Sequence, residues 1–154
     1  MAKVNPIPDG YPRVTPYLSI DGAAAAIDFY CDILGAEVRG QMPTPDGKIG
    51  HAELEIGSSM IMLSDAFADM GNPSPKALGG SPVFLMVYVD DVDDVHARAL
   101  AAGAKELAAV QDQFYGDRSG QFEDPWGHRW NIASHVEDVP PDEMEKRAAA
   151  AMGG

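Results

Sequence analysis

The sequence predicts an α+β fold made of two fused βαβββ modules. Strand-like and helical periodicities follow one another as β-α-β-β-β along the first half, and the same order restarts about 69 residues later, a spacing too long for a solenoid repeat. With 154 residues, 45% of them hydrophobic, the chain can bury one sizeable core.

The β-branched and aromatic run from Arg13 to Ile20 reads as the first strand. Asp21 is placed to cap a helix in which Ile27, Tyr30 and Leu34 recur at helical spacing, and Gly35 sits where a left-handed closing residue is wanted. Three strands follow near Glu37 to Met42, Ile49 to Ile56 and Met60 to Leu63, separated by the turn signals Pro45-Asp46-Gly47 and Gly57-Ser58. The polar stretch 65–80 has three glycines and two prolines and is expected to be a linker or mobile loop. Val83 to Val89 restarts the pattern as a strand. Asp90-Asp91 then caps a helix through Val92, Val95, Ala99 and Ala102, which Gly103 closes as Gly35 closes the first. Strands near Lys105 to Val110, Arg118 to Glu123 and Arg129 to Ala133 complete the module, the last two joined by Asp124-Pro125-Trp126-Gly127. Two copies imply pseudo-twofold symmetry. A single domain over 11–138 is expected, with module one at 11–64, the linker at 65–80 and module two at 81–135. The acidic tail 139–154 carries a short helix from Asp142 to Met152.

The net charge of -13 sets the molecular field against phosphate backbones and anionic bilayers, so neither nucleic acid nor membrane is an expected partner, while a cationic ligand is favoured. The N-terminal MAKVNPIPDGYP lacks an apolar targeting segment, and no run approaches the roughly 18 apolar residues of a membrane span. A cytoplasmic location is expected. One cysteine, Cys31, excludes an intramolecular disulfide and is read as a small buried residue of the first helix.

The runs Leu18-Ser19-Ile20-Asp21, Ile27-Asp28-Phe29-Tyr30 and Leu34-Gly35, together with Phe122-Glu123-Asp124-Pro125-Trp126-Gly127-His128, resemble the vicinal oxygen chelate superfamily, the glyoxalase/bleomycin-resistance proteins. Within it, Tyr115-Gly116-Asp117-Arg118-Ser119-Gly120 followed by Glu123 to Trp130 is similar to the PhnB-like branch. The likeness covers 11–138. It implies a curved mixed sheet around a small-molecule cleft, with helices on the outer face, and a homodimer. Strand alternation puts Thr15, Tyr17 and Ser19 on the face opposite Leu18 and Ile20, and groups His51, Glu53 and Glu55 against Ala52, Leu54 and Ile56. The more polar sets are expected to face the cleft.

Enzymes of this family hold a divalent metal with four side chains, and the resemblance carries those positions onto Thr15, Glu53, Phe84 and Asn131. Only Glu53 is a good ligand. Phe84 cannot coordinate, and Thr and Asn oxygens are weak neutral donors. No resident cofactor is therefore expected, a divalent metal being the alternative. A relocated site using His51, Glu53 and His128 is weaker than a pocket wall of polar residues, and His96 and His135 read as packing or surface histidines.

Glu53 is the candidate general base or cation anchor, with His51 as its tuning neighbour. Tyr17, Phe84, Met86, Tyr88 and Asn131 are expected to line the cleft. Among the later aromatics, Trp130 falls on the core side by alternation, whereas Tyr115, Phe114 and Trp126 lie in turns, where rings can stack on a flat ligand or a cation. Arg118 is a candidate for bidentate binding of an anionic group, or it pairs with Asp117 at the surface. No nucleophilic triad spacing and no phosphate loop is present. The first expectation is thus a metal-free binding protein for a small, cationic or aromatic molecule. The alternatives are a divalent-metal lyase, isomerase or dioxygenase-type enzyme acting on a small oxygenated substrate, and a domain with a vestigial cleft.

Overall fold

The computed structural model describes residues 4–153, which divide into two compact units, one ending at Leu78 and one beginning at Gly79. The first contains β1 (Tyr17–Ile20), α1 (Ala23–Leu34), β2 (Glu37–Pro43), β3 (Ile49–Ile56) and β4 (Ser59–Asp65). Its sheet runs β1-β4-β3-β2, with β1 parallel to β4 and the other pairs antiparallel. A parallel pair needs a crossover, and α1 begins it. Leu18, Ile20, Ala52, Leu54, Ile61 and Leu63 are buried on one side of this sheet, and Ala23, Ala26, Ile27, Tyr30, Ile33 and Leu34 are the buried face of α1. Each large side chain so buried contributes about 1.5–3 kcal/mol.

The α1 cap departs from expectation. Asp21 does not cap the helix: the preceding residue is Gly22, at φ 100°, and it has no side chain to offer. The free amides are caught from the neighbouring strand. Asp65, the last residue of β4 and the register partner of Ile20, accepts from Gly22 N (3.1 Å) and Ala23 N (3.2 Å) through Oδ1, and from Ile49 N (2.7 Å) through Oδ2. The C-terminal end matches the sequence: Gly35 is left-handed and its N–H donates to Tyr30 O.

The second unit contains β5 (Phe84–Tyr88), α3 (Val92–Ala101), β6 (Lys105–Asp112), β7 (Asp117–Glu123), β8 (Arg129–His135) and α4 (Pro141–Ala151). Its sheet order, β5-β8-β7-β6 with β5 parallel to β8, repeats that of the first. Val92, Val95, His96 and Ala99 of α3 are buried, as are Phe122, Trp130 and Ile132 of the sheet. The capping device also recurs. Ser134 occupies the place in β8 that Asp65 has in β4, accepting from Val92 N (3.1 Å) and donating to Val89 O (2.7 Å), while Asp91 accepts from Asp94 N as expected. The Asp124 turn is closed by Gly127 N to Asp124 O, and its carboxylate takes Trp126 N, His128 N and the indole N–H of Trp130, which fixes that ring in the core.

Three further elements differ from expectation. The first strand begins only at Tyr17, Pro16 contributing a carbonyl to Met62 N. The stretch 65–80 is no featureless linker: Asp65 ends β4, a 3-10 turn spans Ala68–Met70, and α2 occupies Pro75–Leu78. Pro75 begins α2, and Asn72 ties the stretch down by accepting from Ser19 Oγ at its carbonyl and donating to Ser64 Oγ. Cys31 is only half-buried. Among the described residues no helix is long and apolar enough to cross a membrane.

Because Asp65 satisfies three amides at once, Asp65→Ala is expected to cost about 2–4 kcal/mol, against about 1 kcal/mol for Ser134→Ala. Urea denaturation of the two variants checks both the size and the order.

Candidate functional site

In the first unit the face of the sheet opposite the buried residues carries a line of polar side chains. Alternation along β3 aims His51 and Glu53 away from buried Ala52 and Leu54, and the same rule turns Tyr17 of β1 away from Leu18. Tyr17 Oη lies 3.0 Å from His51 Nδ1, the two rings tilted at 5.6 Å, and His51 Nε2 lies 3.5 Å from Glu53 Oε1. Glu53 is opposite Gly40 of β2, where the register slips after Val38, and a Cβ at Gly40 would stand 3.8 Å from Glu53 Oε2.

Tyr11, ahead of β1, completes the line. Its hydroxyl oxygen is buried and meets no partner in good hydrogen-bond geometry, yet burial and then the adjacent Glu53 carboxylate push its pKa up to about 12. Tyr11 thus remains a neutral donor beside an acceptor. The sequence reading missed it because it precedes the periodic segment. The line Tyr11, Glu53, His51, Tyr17 offers one carboxylate, one imidazole and two phenols, enough to hold a cation or pass a proton.

In the second unit the outward row of β5 is Phe84, Met86 and Tyr88, all exposed. The Arg129 guanidinium lies 3.8 Å from the Phe84 ring centroid, and Asn131 pairs in register with Met86 on one side and Gln121 on the other. Asn131 Oδ1 is buried with no hydrogen-bond partner. At the end of the row Tyr88 Oη donates to Asp117 Oδ2 (2.8 Å), which raises the tyrosine's pKa, and His135 Nδ1 meets Asp117 Oδ1 (2.8 Å).

The structure therefore brings Tyr17, His51 and Glu53 together, and separately Phe84, Met86, Tyr88 and Asn131. Thr15 lies outside β1, half-buried. Tyr115 packs edge-on against Phe114 in the β6–β7 turn, and Trp126 sits in the Asp124 turn. Arg118 is not on the face of Asn131: it pairs in register with Ser134 and is clamped bidentately by Asp93 of α3 (2.7 and 2.8 Å) and by Asp112 (3.0 Å). Its donors are already engaged. The expected Asp117–Arg118 pair does not form, since adjacent residues of a strand point to opposite faces. That same alternation could have placed buried Asp117 with His135.

The residues at the four family metal positions do not fit a metal. Phe84 presents carbon under a guanidinium, Asn131 a neutral amide, and Thr15 stands outside the strand. Among the described residues no three His, Cys, Asp or Glu side chains form a group that could hold a metal ion.

Two four-stranded mixed sheets, each with the same βαβββ order and a helix across one face, define a class. The Glyoxalase/Bleomycin resistance protein/Dioxygenase superfamily sequence pattern matches residues 13–132, and the chain belongs to that superfamily. The uncharacterized protein Rv0887c of Mycobacterium tuberculosis is 44% identical over 137 residues, covering 87% of this chain and 81% of that one. YjdN of Escherichia coli is 32% identical over 142 residues, covering 77% of this chain and 92% of YjdN. Among solved structures, PA1353 of Pseudomonas aeruginosa superposes with a TM-score of 0.66 at 25% identity, covering 82% of this chain and 99% of that one.

The arrangement that gives both ring nitrogens of His51 a partner has Tyr17 donating to His51 Nδ1 and His51 Nε2–H donating to Glu53. Neutral His51 is thus expected as the Nε2–H tautomer in 15N-resolved NMR, and Tyr17→Phe is expected to raise the Nδ1–H fraction. An Nδ1–H tautomer in the wild type would reverse the direction of the line.

Proposed function

We propose that the chain binds a small organic cation of aromatic character at the open face of its first sheet, without a four-ligand metal site. The observation that carries this reading is the Tyr17–His51–Glu53 line: one half-buried carboxylate flanked by aromatic rings, in a protein of net charge -13. A carboxylate supplies charge and direction, while tyrosine faces supply apolar area and cation–π attraction of about 0.5–2 kcal/mol. The exposed Phe84, Met86 and Tyr88 row gives the second unit apolar surface of its own, suited to flat ligands. The Tyr115-to-Gly120 and Glu123-to-Trp130 runs support placing the chain in the PhnB-like branch.

Calorimetric titration with 9-aminoacridine, a planar cation, tests the reading beside neutral anthracene-type controls. Glu53→Gln is expected to weaken binding of the cation by about tenfold, roughly 1.4 kcal/mol, and to leave the neutral control unchanged. Equal affinities would remove Glu53 from the account.

Elemental analysis of protein purified without added metal or chelator is expected to find no stoichiometric metal. A thermal-shift series with Mn, Fe, Co, Ni and Zn is expected to show no specific stabilisation. About one metal per chain with matching stabilisation would replace the proposal with a divalent-metal lyase, isomerase or dioxygenase-type enzyme.

A further inference from the structure

After β8 the chain turns back across the β6–β7 turn. Val136 N and Glu137 N both donate to Gly116 O, at 2.9 and 3.0 Å. The crossing is so close that a Cβ on Gly116, itself at φ 102°, would stand 2.1 Å from Glu137 O. Beyond it, Arg147 of α4 donates to both carboxylate oxygens of Glu137 (2.8 and 2.9 Å), to Glu143 (3.0 Å) and to Phe114 O (3.3 Å). None of the residues of α4 is fully buried. Polar contacts therefore hold this strap, with little apolar burial to back them.

At its root stands His135. Its Nδ1 faces Asp117, a buried carboxylate that Tyr88 also engages, and its Nε2 faces Asp138 of the strap, each at 2.8 Å. Only the imidazolium can donate to both acids at once, because neutral imidazole carries a single N–H. We propose that His135 is a protonation-dependent latch: charged, it bridges Asp117 to Asp138 and holds the strap on the Gly116 turn, and neutral, it keeps Asp117 and releases Asp138. Asp117 keeps the remaining N–H because its carboxylate is buried and, without His135, would have Tyr88 at Oδ2 but, among the described residues, nothing to replace the imidazole at Oδ1, whereas Asp138 is fully exposed and returns to water. This latch is independent of the ligand reading.

The facing groups are Asp138 from the strap, Asp117 from β7, and, through Asp117, Tyr88 from β5. Asp138 first and Asp117 second raise the His135 pKa above its ordinary 6.5. The bridge's contribution is thus full below that ordinary value and is lost as pH rises through the raised one. The Arg147 guanidinium lowers the Glu137 pKa, so that second clasp is full above the ordinary 4.5 and is lost only as pH falls through the lowered value. The strap is held most firmly in the window between.

The test is amide hydrogen exchange of Val136 and Glu137, corrected for intrinsic rates, with Ile132 in mid-β8 as internal reference, alongside NMR titration of His135. In the wild type the protection of Val136 and Glu137 is expected to fall severalfold as His135 loses its proton, while Ile132 stays constant. His135→Gln should abolish that dependence. Asp138→Asn, which alters only an exposed side chain and keeps the fold, should lower the His135 midpoint and leave the strap weakly protected throughout. Unchanged pH profiles in Asp138→Asn, or parallel loss of protection at Ile132, would overturn the latch.

Discussion

Everything in each unit depends on how the first strand, the helix and the last strand are tied at one point. A helix that follows a parallel strand after two or three residues exposes amides at its start that have no intrahelical partner. Here the last strand supplies the acceptor, because its register places Asp65 beside Ile20 and Ser134 just past the Tyr88–Ala133 pair. The connection thereby pins the start of the helix to the end of the last strand. Asp65 goes further and binds Ile49 N, so the start of β3 is set from the same carboxylate. The open face is the one that strand alternation turns away from the buried residues.

Once the covered faces are fixed, the two open ones diverge in chemistry. The first carries Tyr17, His51 and Glu53. The second carries Phe84, Met86 and Tyr88, with Arg129 stacked on Phe84, Asn131 beside Met86 and the Tyr88–Asp117–His135 cluster at the end of the row. The same backbone topology thus serves opposite surfaces, a change that strand alternation permits because outward residues do not participate in the core. Arg118 shows the converse: a residue one position out of phase falls on the helix side, where Asp93 and Asp112 engage it.

Much of this was legible in the chain. The order of elements, the βαβββ repeat, the Gly35 ending, the Asp91 cap, the Asp124 turn and the grouping of His51 with Glu53 follow from periodicity and turn chemistry, which are local. The misreadings share a cause. Asp21 has the residue type and position of a local cap, whereas the acceptor is Asp65, distant in sequence but adjacent in the sheet. The 65–80 stretch looked loose because its composition is polar, yet Asn72 pins it through Ser19 and Ser64. Tyr11 carried no periodic signal. Both local readings of Arg118, an ion pair with Asp117 or a free bidentate donor, overlook that alternation sends it to the side of Asp93.

At Phe84 the strand geometry of the fold is kept while the atoms presented there do not fit a metal. Phe84 and Asn131 still project from β5 and β8 toward the open face, since Phe84 pairs with Arg129 and Met86 with Asn131 in an undisturbed parallel register. What differs is the character of the atoms delivered there. A phenyl ring under a guanidinium is an environment that already holds a permanent cation, and a metal brought to the same ring would meet both the absence of a lone pair and the repulsion of that charge. Restoring a ligand at position 84 alone would therefore leave the charge of Arg129 in place. The misfit extends beyond this pair, to the neutral amide of Asn131 and to Thr15 outside β1, so changing Phe84 and Arg129 together would still leave Glu53 as the one good ligand of the four.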